Sequence, residues 1–270
     1  MSGVDKRLFG PQFGPKFTNL KTIVKDVGFD ALNSFHYWRH NLKGNRVEKK
    51  YFNGKSDYPP VLLLQGFMGT RGVLSPLEKF LRSNGRDVIS LDLGVFNVAD
   101  IRASSRILSE KVAKLMDRFA KHHPFEKIDV VGHSMGGLIG LYYLKRHGGH
   151  KLINRLIALG APFNGTWASV LALVPFGAVS KGLWQMLPQS EFLKTLRAHP
   201  EEAHQTKIIS IAAKYDAICP PKSCHLAGAE NRTIPVGHGG LLIDPRVFEI
   251  VEKSLSPKHS RTRVRIVSIK

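Results

Sequence analysis

The sequence predicts an α/β protein built on an open, mostly parallel sheet with helices on both faces. Three observations carry this reading. Six short apolar runs, almost free of charge, occupy positions 61–64, 88–91, 128–131, 156–159, 208–212 and 233–236. Runs of this length without alternation are how strands buried on both faces read. Amphipathic stretches fall between them. Residues 104–120 set Ile107, Leu108, Val112, Leu115, Met116 and Phe119 on one side, and 137–146 and 245–255 read as further helices. Strand–helix–strand alternation then implies parallel pairing through right-handed crossovers. Finally, 270 residues, 43% hydrophobic and 23% charged, suffice for one or two domains with a real core. That composition excludes disordered and fibrous classes.

Charge divides the chain. The net charge is +19, and a surplus of that size invites a polyanionic partner. Residues 1–57 carry +6, residues 257–270 carry +5 and the middle carries +8. The expected organisation is therefore a basic N-terminal helical extension at 1–57, a central domain at 58–256 and a basic C-terminal tail at 257–270. In the extension, Phe17, Leu20, Ile23, Val24, Val27, Ala31, Leu32, Phe35 and Trp38 recur at helical spacing. That face suits packing on the main domain or lying on a membrane surface. The aromatic and basic run from His36 to His40 suits an interface or a packed helix end. No zinc-finger spacing, aromatic RNA-binding pattern or basic zipper accompanies the charge, so nucleic acid is not an expected partner. No signal peptide is recognised, and no apolar run reaches the ~20 residues that span a bilayer. The expected compartment is the cytoplasm, with peripheral attachment to an anionic membrane as the alternative. Cys219 and Cys224 are expected to be reduced rather than bridged.

Residues 163–205 interrupt the rhythm. They hold no strand signal and are rich in apolar side chains. An insertion of this kind reads as a helical lid, or as an ordinary pair of packing helices. As a lid, it offers Trp167, Leu171 and Trp184 as substrate-binding residues.

The chemistry centres on Gly132-His133-Ser134-Met135-Gly136, which follows a buried strand and opens a helix. In that context G-x-S-x-G is a strained strand-to-helix turn that lifts a serine hydroxyl above the sheet edge. A side chain at Gly132 or Gly136 would collide with neighbouring backbone. A serine hydroxyl needs a base, and the base needs an orienting acid. Asp216 leaves the run at 208–212 and His238 leaves the run at 233–236, both at the C-terminal strand ends where open parallel sheets place their sites. Asp216 is preferred to Asp244, Asp92 and Asp100 because the latter break the order nucleophile, acid, histidine. Oxyanion donors are expected from the backbone N–H of Met135 and of Phe67, with Met68 as the fallback.

These motifs resemble the α/β-hydrolase superfamily, of the bacterial lipase and esterase type, over roughly residues 60–255. The resemblance rests on residues 65–69, 132–137, 159–166, 186–193, Tyr215-Asp216 and Gly237-His238. It implies an α/β-hydrolase fold and ester hydrolysis by Ser134, His238 and Asp216, with no cofactor and no metal. Gln65-Gly66 departs from the family's usual His-Gly.

The leading expectation is a serine hydrolase acting on carboxylic esters, of hydrophobic or lipid acyl chains. The alternatives are a membrane-surface lipid-binding protein with weak or no catalysis and, among enzymes, a thioesterase or acyltransferase. A dehalogenase-type reaction would want a carboxylate where Ser134 stands. Oligomeric state is not legible.

Overall fold

The computed structural model describes residues 35–46, 56–93, 99–120, 126–169, 180–203 and 205–257. Six strands are present among them: β1 (Val61–Leu64), β2 (Val88–Ser90), β3 (Ile128–His133), β4 (Ile153–Leu159), β5 (Lys207–Ala213) and β6 (Glu230–Ile234). They form one sheet in the order β2-β1-β3-β4-β5-β6, and every neighbouring pair is parallel. Each of the six apolar runs supplies a strand. β6 begins earlier than its apolar run, because Asn231, Arg232 and Thr233 of this edge strand face solvent. Charged, exposed side chains are a usual feature of sheet edges.

The two faces follow from side-chain alternation along each strand. Leu62 and Leu64 of β1 enter one apolar cluster, and Val61 and Leu63 enter the other. The first cluster is closed by α3 (Ile101–Ala120) and α4 (Met135–Arg146), through Leu108, Val112, Leu138 and Ile139. The second is closed by α2 (Arg71–Ser83) and α7 (Pro245–Ser254), through Leu74, Leu77, Leu81, Val247 and Val251.

Strand order also fixes where a site belongs. From β1 the chain passes outward to β2, then returns to β3 on the other side of β1. At such a reversal the crossovers diverge and leave a crevice beyond the carboxyl ends of the two strands. The loop after β1 and the turn after β3 meet there.

The opposite edge is held by buried polar groups. The Ser256 N–H and hydroxyl donate to the two oxygens of Asp129, at 2.7 and 2.8 Å. Arg86 pairs with Glu252 at 2.9 Å and donates to the Ser256 carbonyl at 3.1 Å. Asp129 is fully buried, and burial pushes its carboxyl up to about 6 despite these donors.

The insertion at 163–205 contains, among its described residues, α5 (Lys181–Gln185) and α6 (Glu191–Arg197). Each is N-capped by a serine, Ser180 and Ser190. Leu183, Met186, Phe192, Leu193 and Leu196 join the core. Leu171 lies outside the described residues, as do 1–34 of the expected extension and 258–270 of the expected tail. Residues 35–41 are helical (α1) and pack on α2. No helix among the described residues is long and apolar enough to cross a membrane.

Candidate active site

Ser134 sits in the turn between β3 and α4 with φ 52° and ψ −124°. Side chains of L-residues avoid this region, so the turn must be enforced from outside. The enforcement is steric and local. A Cβ on Gly132 would lie 2.6 Å from the Gly136 carbonyl, and one on Gly136 would lie 2.6 Å from the Leu64 carbonyl. The Ser134 N–H is also fixed, donating to the Leu159 carbonyl of β4 at 2.8 Å. Helix α4 starts immediately afterwards, so its unpaired N–H groups and positive end lie at the serine.

Asp216 follows β5 and His238 follows β6. Two backbone bonds tie the loops together: Lys214 N–H to the Ile234 carbonyl at 2.7 Å and Tyr215 N–H to the Val236 carbonyl at 3.0 Å. The loops thus bring Asp216 Oδ2 to 2.6 Å from His238 Nδ1. The other carboxylate oxygen accepts from Ile218 N–H at 2.8 Å and Cys219 N–H at 2.7 Å. A carboxylate held on three sides can only accept, so the network assigns the imidazole proton to Nδ1 and leaves Nε2 as the acceptor. The Cys219 thiol lines the cavity beside the Ser134 hydroxyl.

The residues expected to form the oxyanion loop lie close by. Gly66 approaches so tightly that a Cβ there would sit 2.8 Å from the Ser134 Cβ. Phe67 and Met68 then line the same cavity as Ser134 and His238, while Met135 begins α4 and is fully buried. The cavity holds about 320 Å³. Its walls include Pro162, Leu183, Met186, Ile218 and Cys219, and it is mostly apolar.

Of the expected lid residues, Trp167 is 73% exposed and Trp184 54% exposed, and neither lines the cavity. Their neighbours Thr166, Ala168, Leu183 and Met186 do. Three wall residues come from an unexpected place: Tyr37, Trp38 and Asn41, in or at the end of α1. The aromatic run at 36–40 carried a signal for an interface. Asn41 carried none.

His133 lies under His238, with ring centroids 4.7 Å apart. Burial, reinforced by His238, holds its pKa well below the usual histidine range, so the ring is neutral. Asp216, Cys219 and His238 place ligand-type atoms within 4.8 Å of one another. A soft divalent metal would suit such donors chemically. Here, however, Asp216 is committed to His238 and to two backbone N–H groups, and burial beside that carboxylate pushes the Cys219 thiol up.

A strained serine at a strand-to-helix turn, on a parallel sheet with an Asp–His pair at the following strand ends, is the arrangement of one fold family. The family model described as the alpha/beta hydrolase fold matches residues 59–207, more than half of the chain.

The chain belongs to the α/β-hydrolase fold family.

The match ends before Asp216 and His238, but the hydrolase sheet continues through both of their strands. Solved structures agree on the fold. A mature-form lipase of Bacillus licheniformis is 18% identical with a TM-score of 0.64, over 78% of this chain and 96% of that one. Lipase B of Aspergillus fumigatus is 20% identical with a TM-score of 0.65, over 78% of this chain and 56% of that one. A Listeria innocua gene product is 20% identical with a TM-score of 0.55, over 76% of this chain and 96% of that one.

Proposed function

We propose that this hydrolase cleaves carboxylic esters with hydrophobic acyl groups, through an acyl-enzyme on Ser134. The observation that carries the proposal is the meeting, in one mostly apolar cavity, of Ser134 on its strained turn with the Asp216–His238 pair.

In this reading the Ser134 hydroxyl attacks the ester carbonyl while Nε2 of His238 takes its proton. Asp216 keeps the other ring nitrogen protonated and stabilises the imidazolium that forms. The N–H groups of Phe67 and Met135 hold the oxyanion. His238 returns the proton to the leaving alcohol, and a water, activated by the same ring, releases the acid. The neutral ring of His133 beneath His238 adds no competing positive charge.

The test is a rate profile over p-nitrophenyl esters of increasing acyl length, with Ser134→Ala alongside. The cavity lies near the small end of ligand sites, which run from roughly 300 to 1,000 Å³. Short and medium chains should therefore turn over fastest, and Ser134→Ala should be inactive while folded. Unchanged turnover in Ser134→Ala would overturn the reading. Running the matching thioesters, and alcohols as acyl acceptors, separates hydrolysis of esters from thioesterase or transferase chemistry on the same residues.

A second reading concerns where the ester comes from. Trp38 and Ile218 line the cavity yet remain 58% and 46% exposed, a greasy rim on a chain of net charge +19. This supports a substrate drawn from an anionic lipid surface. Flotation with anionic vesicles at ~0.15 M salt, where screening is physiological, tests it. Binding without turnover would favour a lipid-binding role over catalysis. We also read residues 35–46 as part of the hydrolase domain at 58–256 rather than of a separate extension.

A further inference from the structure

The loop after β1 does not hold its shape alone. Met68 adopts a left-handed backbone with φ 52°, a conformation uncommon for a side chain of this type. Helix α2 begins three residues later, and its N-cap, Thr70, supplies no side-chain cap of its own. The first N–H groups of a helix need acceptors. Here they come from nearly thirty residues upstream. The Asn41 side-chain oxygen accepts from the Thr70 N–H at 2.9 Å, and its amide donates to the Met68 carbonyl at 3.2 Å. The Thr70 hydroxyl donates to the Asn41 carbonyl at 2.9 Å. Asn45 repeats the device one residue further on, its side-chain oxygen accepting from the Arg71 N–H at 2.9 Å.

The two contacts of the Asn41 carboxamide bracket Gly69, directly after the strained residue. One fixes the carbonyl of Met68 and the other the N–H of Thr70, so the chain between them cannot rotate without breaking a bond. From within this bracket the Gly69 N–H reaches back to the Gly66 carbonyl at 3.2 Å and closes the loop. Phe67 lies inside that closed turn. A planar group carrying one donor and one acceptor at fixed separation is required, which an asparagine supplies. Aspartate would set a negative oxygen against the Met68 carbonyl, and alanine would leave both groups unpaired.

We propose that Asn41 is a positioning residue for the oxyanion loop, clamping Met68 and Thr70 so that the Phe67 N–H is held where negative charge develops on the substrate. The proposal rests on the serine-hydrolase reading above. It makes the segment before β1, outside the family match at 59–207, a working part of the site.

A donor that stabilises only the transition state leaves a kinetic signature: kcat and kcat/KM fall together while KM holds. Loss of a whole oxyanion donor lowers kcat by about 10²–10³-fold, so a loosened one should lower it by about 10–100-fold. The experiment uses the full chain and p-nitrophenyl butyrate, with Ser134→Ala, Asn41→Ala, Asn41→Asp and Asn45→Ala in parallel, each checked for folding by its thermal transition. Expected are an inactive Ser134→Ala, a kcat reduced about 10–100-fold in Asn41→Ala and Asn41→Asp at a KM within twofold of wild type, and an Asn45→Ala that melts lower but keeps its kcat. Should Asn41→Ala not fold, the isosteric Asn41→Asp carries the same expectation. A folded Asn41 variant with wild-type kcat overturns the proposal. So does a raised KM at constant kcat, which would mark a substrate contact, or an equal kcat loss in Asn45→Ala, which would mark general docking. Retained activity in Ser134→Ala would instead overturn the underlying reading.

Discussion

Replacing Ser134 by glycine should give a more stable protein than replacing it by alanine. Both variants lack the hydroxyl, so the comparison isolates the backbone. At φ 52° and ψ −124° the residue lies outside even the left-handed helical well, whose ψ is about +30 to +60°. A side chain held in so sparse a region costs about 1–3 kcal/mol, and this geometry belongs in the upper half of that range. Alanine keeps the Cβ and therefore the strain. Glycine removes it, but gives the unfolded chain extra freedom worth about 0.4–1 kcal/mol. It also forfeits the packing of one buried carbon against Gly66, at most about 0.8 kcal/mol. The balance favours glycine by about 1 kcal/mol. In a chain of this size that is about 2–4 °C in Tm. Denaturant titration and calorimetry of the two variants measure it. An alanine variant as stable as the glycine variant, or more so, would refute the idea that the turn stores strain.

Three further outcomes follow from single groups. In a free helix Ala outperforms Gly by about 1 kcal/mol, but a Cβ on Gly72 of α2 would lie 2.2 Å from the His40 carbonyl. Gly72→Ala should therefore destabilise, by about 1–3 kcal/mol as overpacking does, and a raised Tm would refute the docking of α1. Asp129 binds its proton more tightly folded, at about 6, than at the ordinary aspartate value of 3.8. Stability from this group is therefore gained as pH falls from about 6 to about 4, on the order of 3 kcal/mol, and is absent above that window. Urea midpoints of Asp129→Asn across that window should lack the gain, and profiles parallel to wild type would exclude it. His133 behaves with the opposite sense: its folded pKa lies well below 6.5, so the unfolded chain takes up the proton first and stability is lost as pH falls below about 6.5. His133→Leu should flatten that loss in the same titration, and an unchanged slope would show that the ring does protonate in place.

Local constraints were legible in the sequence. The glycines around Ser134 are needed because backbone passes within van der Waals contact of them, and that need leaves a short motif. The apolar runs of β1, β3 and β4 are visible because both sheet faces are covered. The early part of β6 is not, since an exposed edge strand has no reason to be apolar. Helix α2 was overlooked for a related reason. Its interior contains Pro76, and its opening N–H groups are capped by Asn41 and Asn45 rather than by a residue at the helix start. In the insertion, size and aromaticity drew attention to Trp167 and Trp184. A five-residue helix such as α5 has too few turns for its pattern to reveal its buried side, and Leu183 with Met186 turned out to face the cavity.

The same distinction separates the two halves of the site. The serine turn is shaped by atoms within a few residues and across adjacent strands, so its determinants stand together in the sequence. The loop that opposes it is shaped by side chains arriving from a segment with no motif at all. That segment also changes the meaning of the charge. The basic residues of the N-terminal region looked like an appendage to a milder domain. Yet Arg39 and Lys43 lie on or next to α1, the element that supplies the wall residues Tyr37, Trp38 and Asn41, and burial, with Lys43 and Arg39, pushes His40 down to about 4. Part of the N-terminal positive charge is thus carried by the element that walls the cavity rather than by a detached appendage.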